Sequence, residues 1–253
     1  MIKSILIYIV NSPVLFFGAL FLFRACLWVI SEHFWRARQV PYGRVALTDF
    51  GAELFHVFFV IPVVLFLFDR LFVNYSFPPF LQDIPIAARV VLFMLLWDFG
   101  YYWMHRLMHT ETLWRTHKWH HSPTYMYWLA GCRSTIQHEF LVDVPFILAI
   151  PVLSPAPWWV FTALVIWDIL TTDWMHLNVP WGSRRLEWFI VTPRYHHIHH
   201  SSNPAHYDKN LGDFLTIWDR LFGTYLDPDG LEEKDLSFGL GETPNPVRLI
   251  AGV

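Results

Sequence analysis

Long apolar stretches separated by short polar connections constrain the fold of this chain more than any other feature. The first covers residues 14–30, contains one charged residue, Arg24, and extends back to Ile5. A helix of that length crosses the hydrocarbon core of a bilayer, which is roughly 30 Å thick. Because no small-residue cleavage pattern follows it, we expect a retained membrane anchor rather than a removed signal peptide.

Three further apolar regions complete the pattern. Residues 54–73 and 86–104 predict a second and a third span, and Pro62 is expected to kink the second. Residues 140–175 are interrupted by prolines, so this region predicts a helical hairpin whose two arms enter the membrane and return. The expected fold is therefore all-α, a multi-span helical membrane protein with about four membrane helices or helical arms.

Composition agrees with a membrane protein and excludes other classes. Hydrophobic residues make up 55% of the chain, charged residues only 15%, and the formal net charge is -3. A nucleic-acid-binding surface needs an excess of lysine and arginine over aspartate and glutamate, so no nucleic-acid partner is expected. Cys26 and Cys132 are too few for a disulfide scaffold, a four-cysteine zinc site or an iron–sulfur cluster. The 14 histidines are therefore the main candidates for metal ligands.

Lysine and arginine are unevenly distributed between the connections. They are concentrated in the predicted loop at residues 31–49 and in the segment at residues 105–139, whereas Arg70 alone clearly lies between the second and third spans. The positive-inside rule then places both segments, and everything after His176, in the cytoplasm. We expect a histidine-rich helical cap on the cytoplasmic side of a bacterial inner membrane, with the endoplasmic reticulum as the alternative location.

Histidines occur in three clusters with metal-binding spacing. HRLMH has two histidines one helical turn apart, and HKWHH and TPRYHHIHH each combine i, i+3 and i, i+4 spacings on one expected helix face. One pair could arise by chance at a membrane interface, but three clusters favour coordination. Neutral imidazole binds zinc, iron, copper and nickel. One zinc site uses three or four protein ligands, so these histidines are too many for a single site. The predicted metal ligands are His105, His109, His117, His120, His121, His176, His196, His199 and His200.

Three polar residues are candidates for supporting the ligands. Asp98 precedes His105 by two helical turns and could orient its imidazole, although a contact between helices is an equal alternative. Asp173, an intramembrane carboxylate near His176, is a further candidate. Asn178 could hydrogen-bond a metal-bound water or simply form a turn. His138 remains open as a tenth ligand.

The motifs DFGYYWMHRLMH, HKWHH, HLNVPWG, TPRYHHIHH and DKNLGDFLTIWDRLFGTY resemble, in this order, those of the fatty acid hydroxylase and sterol desaturase superfamily. The resemblance covers residues 97–225, as a catalytic core within a single domain of residues 1–253. It implies a non-haem di-iron centre that uses dioxygen and two electrons, with the nine histidines as ligands. Some relatives have a further histidine where this chain has Thr172, so the cage could hold one ligand fewer or use His138. Residues 208–210 and 218–224 resemble the C-terminal motifs of the family, and we expect them to have a structural role in closing the cytoplasmic cap.

The expected function is hydroxylation or desaturation of a lipid: fatty acyl, sterol or related. The sequence leaves the lipid, the choice between the two reactions and the oligomeric state open. It contains no nucleotide-binding glycine motif and no cysteine set for an iron–sulfur cluster, so we expect a separate electron donor. The resemblance implies a donor of the cytochrome, ferredoxin or rubredoxin type, and the basic charge of Arg184 and Arg185 suggests that it docks near them. Two alternatives remain: a zinc-dependent membrane lipid hydrolase, in which the metal activates water, and a non-catalytic membrane haem or metal-handling protein.

Overall fold

The computed structural model describes residues 13–72, 81–241 and 245–253, and these residues are predominantly helical. Two isolated antiparallel bridges, and no named strand, occur in this part of the chain. The all-α prediction is confirmed. The helices are α1 Pro13–Trp35, α2 Tyr42–Phe55, α3 Ile61–Phe72, α4 Ile86–Met108, α5 Trp114–His117, α6 Ile136–Leu153, α7 Trp158–His176, α8 Pro193–His199, α9 Ile217–Phe222 and α10 Pro246–Ala251.

Four helical segments are long and apolar enough to cross a membrane, by length and composition: Phe17–Trp35, Val45–Leu71, Ile86–Met108 and Ile136–Leu153. They correspond to the first three predicted apolar regions and to the first arm of the predicted hairpin. The predicted extension of the first span to residues 5–12, and Val73 at the end of the second, lie outside the described residues.

The second span is longer than the sequence predicted. Helices α2 and α3 are joined without a break by a π-helical turn, His56–Val60, so the span begins at Val45. The prediction of a loop over residues 31–49 is therefore wrong, because helix occupies both of its ends. Only residues 36–41 connect α1 to α2.

The predicted hairpin is present, with α6 and α7 as its arms and residues 154–157 as its turn. The first arm begins at Ile136 rather than near Phe140, because Thr135 caps it: its Oγ1 accepts the backbone N–H of His138 at 3.0 Å. Helix α4 lies so close to α6 that a Cβ at Gly100 would come within 2.5 Å of the Pro145 side chain. The apolar core lies between α4, α6, α7 and the second span.

The segment after α7 folds over the end of α4, held by two buried carboxylates. Asp98 on α4 accepts the backbone N–H groups of Phe214 and Leu215 at 2.9 and 3.2 Å, and the indole N–H of Trp218 at 2.7 Å. Asp219 accepts four further hydrogen bonds, from the N–H groups of Leu211 and Gly212 and the hydroxyls of Thr224 and Tyr195. These bonds fix the segment that covers the histidines.

Candidate metal centre

The nine predicted ligands lie in two separate groups that could each hold a metal ion. Within each group, one ligand nitrogen per histidine lies within 4.8 Å of all the others. Every member except His109 is buried. We call them the five-histidine group (His105, His109, His117, His121 and His199) and the four-histidine group (His120, His176, His196 and His200).

The ends of α4 and α7, the HKWHH segment and α8 bring these residues together, with His176 as the last residue of α7. His105 lies in the last turn of α4 and His109 caps its end. HKWHH, predicted on one helix face, is helical only as far as His117, and His120 and His121 follow in turns. In α8, the Thr192 hydroxyl accepts the N–H of Tyr195 at 3.4 Å and Pro193 takes the first helical position.

The imidazoles approach one another through their Nε2 atoms. In the five-histidine group, Nε2 of His117 lies 3.0 Å from that of His105 and 3.1 Å from that of His121. In the four-histidine group, the Nε2 atoms of His176, His196 and His200 form a triangle with sides of 3.0 to 3.3 Å.

Hydrogen bonds among the rings cannot satisfy this arrangement. Three mutually adjacent nitrogens cannot alternate as donor and acceptor, so at least one pair in the triangle is repulsive. Four buried ring nitrogens also have no hydrogen-bond partner among the described residues: His109 Nε2, His120 Nδ1, His196 Nδ1 and His199 Nε2. Converging lone pairs without protons to share are what a metal ion needs, so both groups fit one.

Burial keeps the imidazoles in the metal-binding form. Loss of solvent, followed by the proximity of neighbouring histidines, lowers the pKa of His117, His120 and His121 well below 6.5. The same causes lower the pKa of His196 and His200. These rings are therefore neutral at pH 7, and neutral imidazole is the form that coordinates a metal.

Backbone carbonyls fix the tautomer of three ligands. Nδ1 of His105 donates to Leu211 O at 2.8 Å, Nδ1 of His199 to Lys209 O at 3.0 Å, and Nδ1 of His176 to Thr172 O at 2.6 Å. Because a carbonyl oxygen only accepts, each Nδ1 carries the hydrogen and each Nε2 lone pair is directed elsewhere. Thr172 therefore supports a candidate ligand through its backbone.

Asp208 orients a fourth ligand, a role that sequence reasoning missed. Its Oδ1 lies 3.3 Å from Nδ1 of His109, and this hydrogen bond lowers the pKa of Asp208, which is ionised at neutral pH. Asp208 has a φ of 57°, in the left-handed region that aspartate tolerates better than most residues. That unusual conformation has no signature in the sequence beyond the residue type.

Gly131 is a second residue that the sequence did not reveal. It lies in the 3₁₀ turn Trp128–Cys132, against the ring of His176. A Cβ at this position would come within 2.6 Å of Nδ1 of His176. Glycine is required here because any side chain would displace that imidazole.

The structure corrects the predicted roles of Asp98, Asp173 and Asn178, since the hydrogen bonds of their side chains go elsewhere. Asp98 holds residues 214–218, as described above. Asp173 accepts two bonds of 2.6 Å from Arg24 and one of 2.7 Å from Trp28, tying α7 to α1. The Asn178 amide binds the backbone of Arg38 at 3.0 and 2.8 Å.

His138 lies beside the groups but belongs to neither. Its Nδ1 is 3.3 Å from Nδ1 of His117, and its ring centroid lies 5.2 Å from that of His120. His197 lies outside both groups, with Nδ1 2.8 Å from Nη2 of Arg38.

Two cavities reach the histidines from opposite directions. A cavity of about 310 Å³ between the membrane helices is lined mainly by apolar side chains and has His120 and His138 on its wall. A cleft of about 350 Å³ on the other side is lined by His109, His121, His199 and His200. The centre is therefore accessible both from the membrane helices and from the surface.

Comparison with known proteins identifies the family. The model of the fatty acid hydroxylase family matches residues 90–224, just over half of the chain and close to the predicted core of residues 97–225. These residues include all nine candidate ligands. The chain belongs to the fatty acid hydroxylase family.

Curated relatives carry lipid-oxidising names. Alkylglycerol monooxygenase of Xenopus tropicalis is 35% identical over 56% of this chain and 31% of its own length. Ornithine lipid hydroxylase OlsE of Rhizobium tropici is 33% identical over 60% of this chain and 46% of its own. Delta(7)-sterol 5(6)-desaturase of Eremothecium gossypii is 30% identical over 58% of this chain and 40% of its own length. The matches thus span less than half of these relatives. No solved structure matches the chain significantly.

Proposed function

We propose that this chain is a membrane-bound non-haem di-iron oxygenase that hydroxylates or desaturates a lipid, using dioxygen and an external electron donor. The observation that carries the proposal is the division of nine buried or half-buried histidines into two adjacent groups, each with converging ring nitrogens. One group of four or five histidines suits one metal ion. Two such groups therefore suit a pair of metal ions.

Two irons, when bound, would supply the oxidant for an unactivated C–H bond, which no amino-acid side chain provides. The five-histidine group and the four-histidine group would each hold one of them. The carbonyls of Leu211, Lys209 and Thr172, together with Asp208, keep four imidazoles in position for this task. Such outer contacts tune both affinity and ligand orientation.

The membrane-side cavity is the proposed lipid site. Apolar side chains from α1 and from the second span line it, and it reaches His120 of the four-histidine group. Burial of a lipid chain against Phe17, Leu20, Phe21 and Val57 would exclude water from the reacting carbon. The lipid-oxidising names of the relatives support a substrate of this kind.

The surface cleft is the proposed approach for the electron donor, a small cytochrome, ferredoxin or rubredoxin type of protein. Trp114 lies on the cleft with its ring centroid 5.3 Å from that of His109 and 5.1 Å from that of His121. Arg184, the docking site suggested by charge, is exposed and lies 3.7 Å from Asp227. We favour the cleft because it directly reaches candidate ligands.

We further propose that the whole chain forms one domain in a bacterial inner membrane, with the histidines facing the cytoplasm. The distribution of lysine and arginine between the connections supports this orientation. A cytoplasmic cleft would also be open to cytoplasmic electron carriers.

The test is lipid oxidation by the purified, iron-loaded protein and by its His120→Ala variant. We expect the wild type to oxidise a lipid with dioxygen and a reductase system, and the variant to lose turnover while remaining in the membrane. Retained turnover in the variant would contradict the di-metal proposal. Hydrolysis of a lipid ester or amide by the zinc-loaded protein, without oxidation, would favour the hydrolase instead.

A further inference from the structure

The wall of the membrane-side cavity carries a polar patch that the proposed chemistry does not use. Glu139 and Asp143 lie four residues apart on α6, and Asp168 lies on α7. All three line the cavity. Residues four apart share a helix face, so the two α6 carboxyl groups are neighbours. Carboxyl groups are costly in membrane helices and usually have a function there.

The other charged groups on this wall are accounted for by internal pairing. Arg24 donates to Asp173 at 2.6 Å and to Glu53 at 2.8 Å, which links α1, α2 and α7. The wall carries five carboxyl groups but one arginine. The cavity is therefore acidic, and its arginine is already bound.

Glu139 is held in place through only one of its oxygens. Oε2 accepts the Ser134 hydroxyl at 2.8 Å and lies 2.9 Å from Nε2 of His56. Oε1 has no hydrogen-bond partner among the described residues. His56 opens the π-helical turn between α2 and α3, and such turns commonly occur at functional sites. Glu139 is thus a fixed carboxylate with one acceptor oxygen left for a ligand.

Asp143, Asp168 and His138 provide further polar atoms to which a ligand in the cavity could bind. In the described part of the chain, neither aspartate has a hydrogen-bond partner. His138 also lines the cavity and is only 5% exposed; among the described residues it bonds through Nδ1 alone, so its Nε2 has no partner there. Polar groups on the wall of a largely apolar cavity favour a ligand that can hydrogen-bond them.

We propose that Glu139, Asp143 and Asp168 bind the head group of the lipid substrate and select one that donates hydrogen bonds. The free oxygen of Glu139 accepts a hydrogen bond from a neutral hydroxyl-bearing head or an ammonium head, whereas the carboxylate of a free fatty acid is repelled by the Glu139 carboxylate. This inference rests on the proposed function, because it takes the cavity as the substrate site.

The position of the patch also restricts where the chain is oxidised. Asp168 precedes His176 by eight residues, which is roughly 12 Å along a helix. A head group bound at the patch would hold the nearby carbons of the lipid, rather than its far end, next to the four-histidine group. The oxidised carbon therefore lies within about 12 Å of the bound head group.

The test is equilibrium binding to the full-length metal-loaded protein without dioxygen, so that no turnover occurs. The probes are single-chain lipids that share one saturated chain and differ in the head group, which is a glycerol ether, a primary ammonium or a carboxylate. We expect the wild type to bind the glycerol ether and the ammonium lipid at least about tenfold more tightly than the carboxylate. Asp168→Asn and Asp143→Asn should weaken ammonium binding about tenfold and leave carboxylate binding equal or tighter.

The matched control is Asp69→Asn, which changes a carboxylate of the second span that does not line the cavity. It should bind all three lipids like the wild type. Equal affinity of the wild type for the three head groups would overturn the proposal without any variant, as would unchanged binding in both cavity variants. Selective binding without oxidation would contradict the proposed function alone, and oxidation without selectivity would contradict this inference alone.

Discussion

Neighbouring histidines in this chain belong to different metal groups. His120 belongs to the four-histidine group and His121 to the five-histidine group, and His200 and His199 are divided in the same way. Consecutive residues in a helical conformation point about 100° apart, so one short element can serve both groups. Spacing in the sequence identified the ligands as candidates but did not indicate this division, which depends on how α4, α7 and α8 pack.

Gly131 gives a sharp test at the scale of one residue. In Gly131→Ala, the new methyl group displaces His176, so the four-histidine group should lose its metal while the five-histidine group keeps one. Elemental analysis should show about half the wild-type metal content. The control is Gly51→Ala in α2, where a Cβ meets nothing within 4 Å. Full metal content in Gly131→Ala would show that the contact with His176 does not position a ligand.

Asp208 should affect the metal affinity of the five-histidine group. Replacing it with alanine removes the carboxylate beside Nδ1 of His109, and loss of such a partner typically weakens metal binding 10- to 100-fold. Competition with a chelator measures the change, with the exposed Asp235→Ala variant as the control. An unchanged affinity would mean that His109 is oriented without Asp208.

At the scale of elements, much of the fold was predictable. Runs of apolar residues and the prolines of the hairpin indicated the membrane helices, because these features act locally. Residues 56–60 were predicted to lie within the second span, but their π-helical turn and the start of the span at Val45 were not, since a π-helical turn has no sequence signature. The HKWHH turns likewise depend on distant contacts. From its spacing, Asp98 was expected either to orient a histidine or to make a contact between helices; its carboxylate accepts the backbone N–H groups of Phe214 and Leu215 and the indole N–H of Trp218.

Asp98 should therefore act on stability rather than directly on a ligand. In Asp98→Ala, two backbone N–H groups and the Trp218 indole lose their acceptor, which should cost about 3 kcal/mol. Unfolding in mild detergent measures this cost, with Asp69→Ala as the control. A variant as stable as the wild type would contradict the anchoring role of Asp98.

The whole molecule places a largely apolar cavity on one side of the histidines and a surface cleft on the other. Burial ensures that the ring nitrogens between them are neutral. The same burial couples the fold to pH, because neutral histidines in the folded state become protonated once the chain unfolds.

Stability should fall as the solution becomes acidic. The folded-state pKa of His117, His120, His121, His196, His199 and His200 lies well below 6.5, the value expected when the chain is unfolded. Below about pH 6.5 the unfolded state binds more protons, so the metal-free protein should lose stability between pH 7 and pH 5. Bound metal should raise the unfolding temperature at pH 7. Stability that is constant over this range would contradict neutral burial of these rings.

The most direct measurement of the central claim is the amount and identity of metal in protein purified from iron-replete cells. Elemental analysis, together with a redox titration of absorbance, should show two irons per chain that respond to reduction. His200→Ala should lose metal from the four-histidine group. One metal per chain, or zinc without redox response in a protein that iron reconstitution fails to activate, would contradict the two-group metal centre and its proposed chemistry.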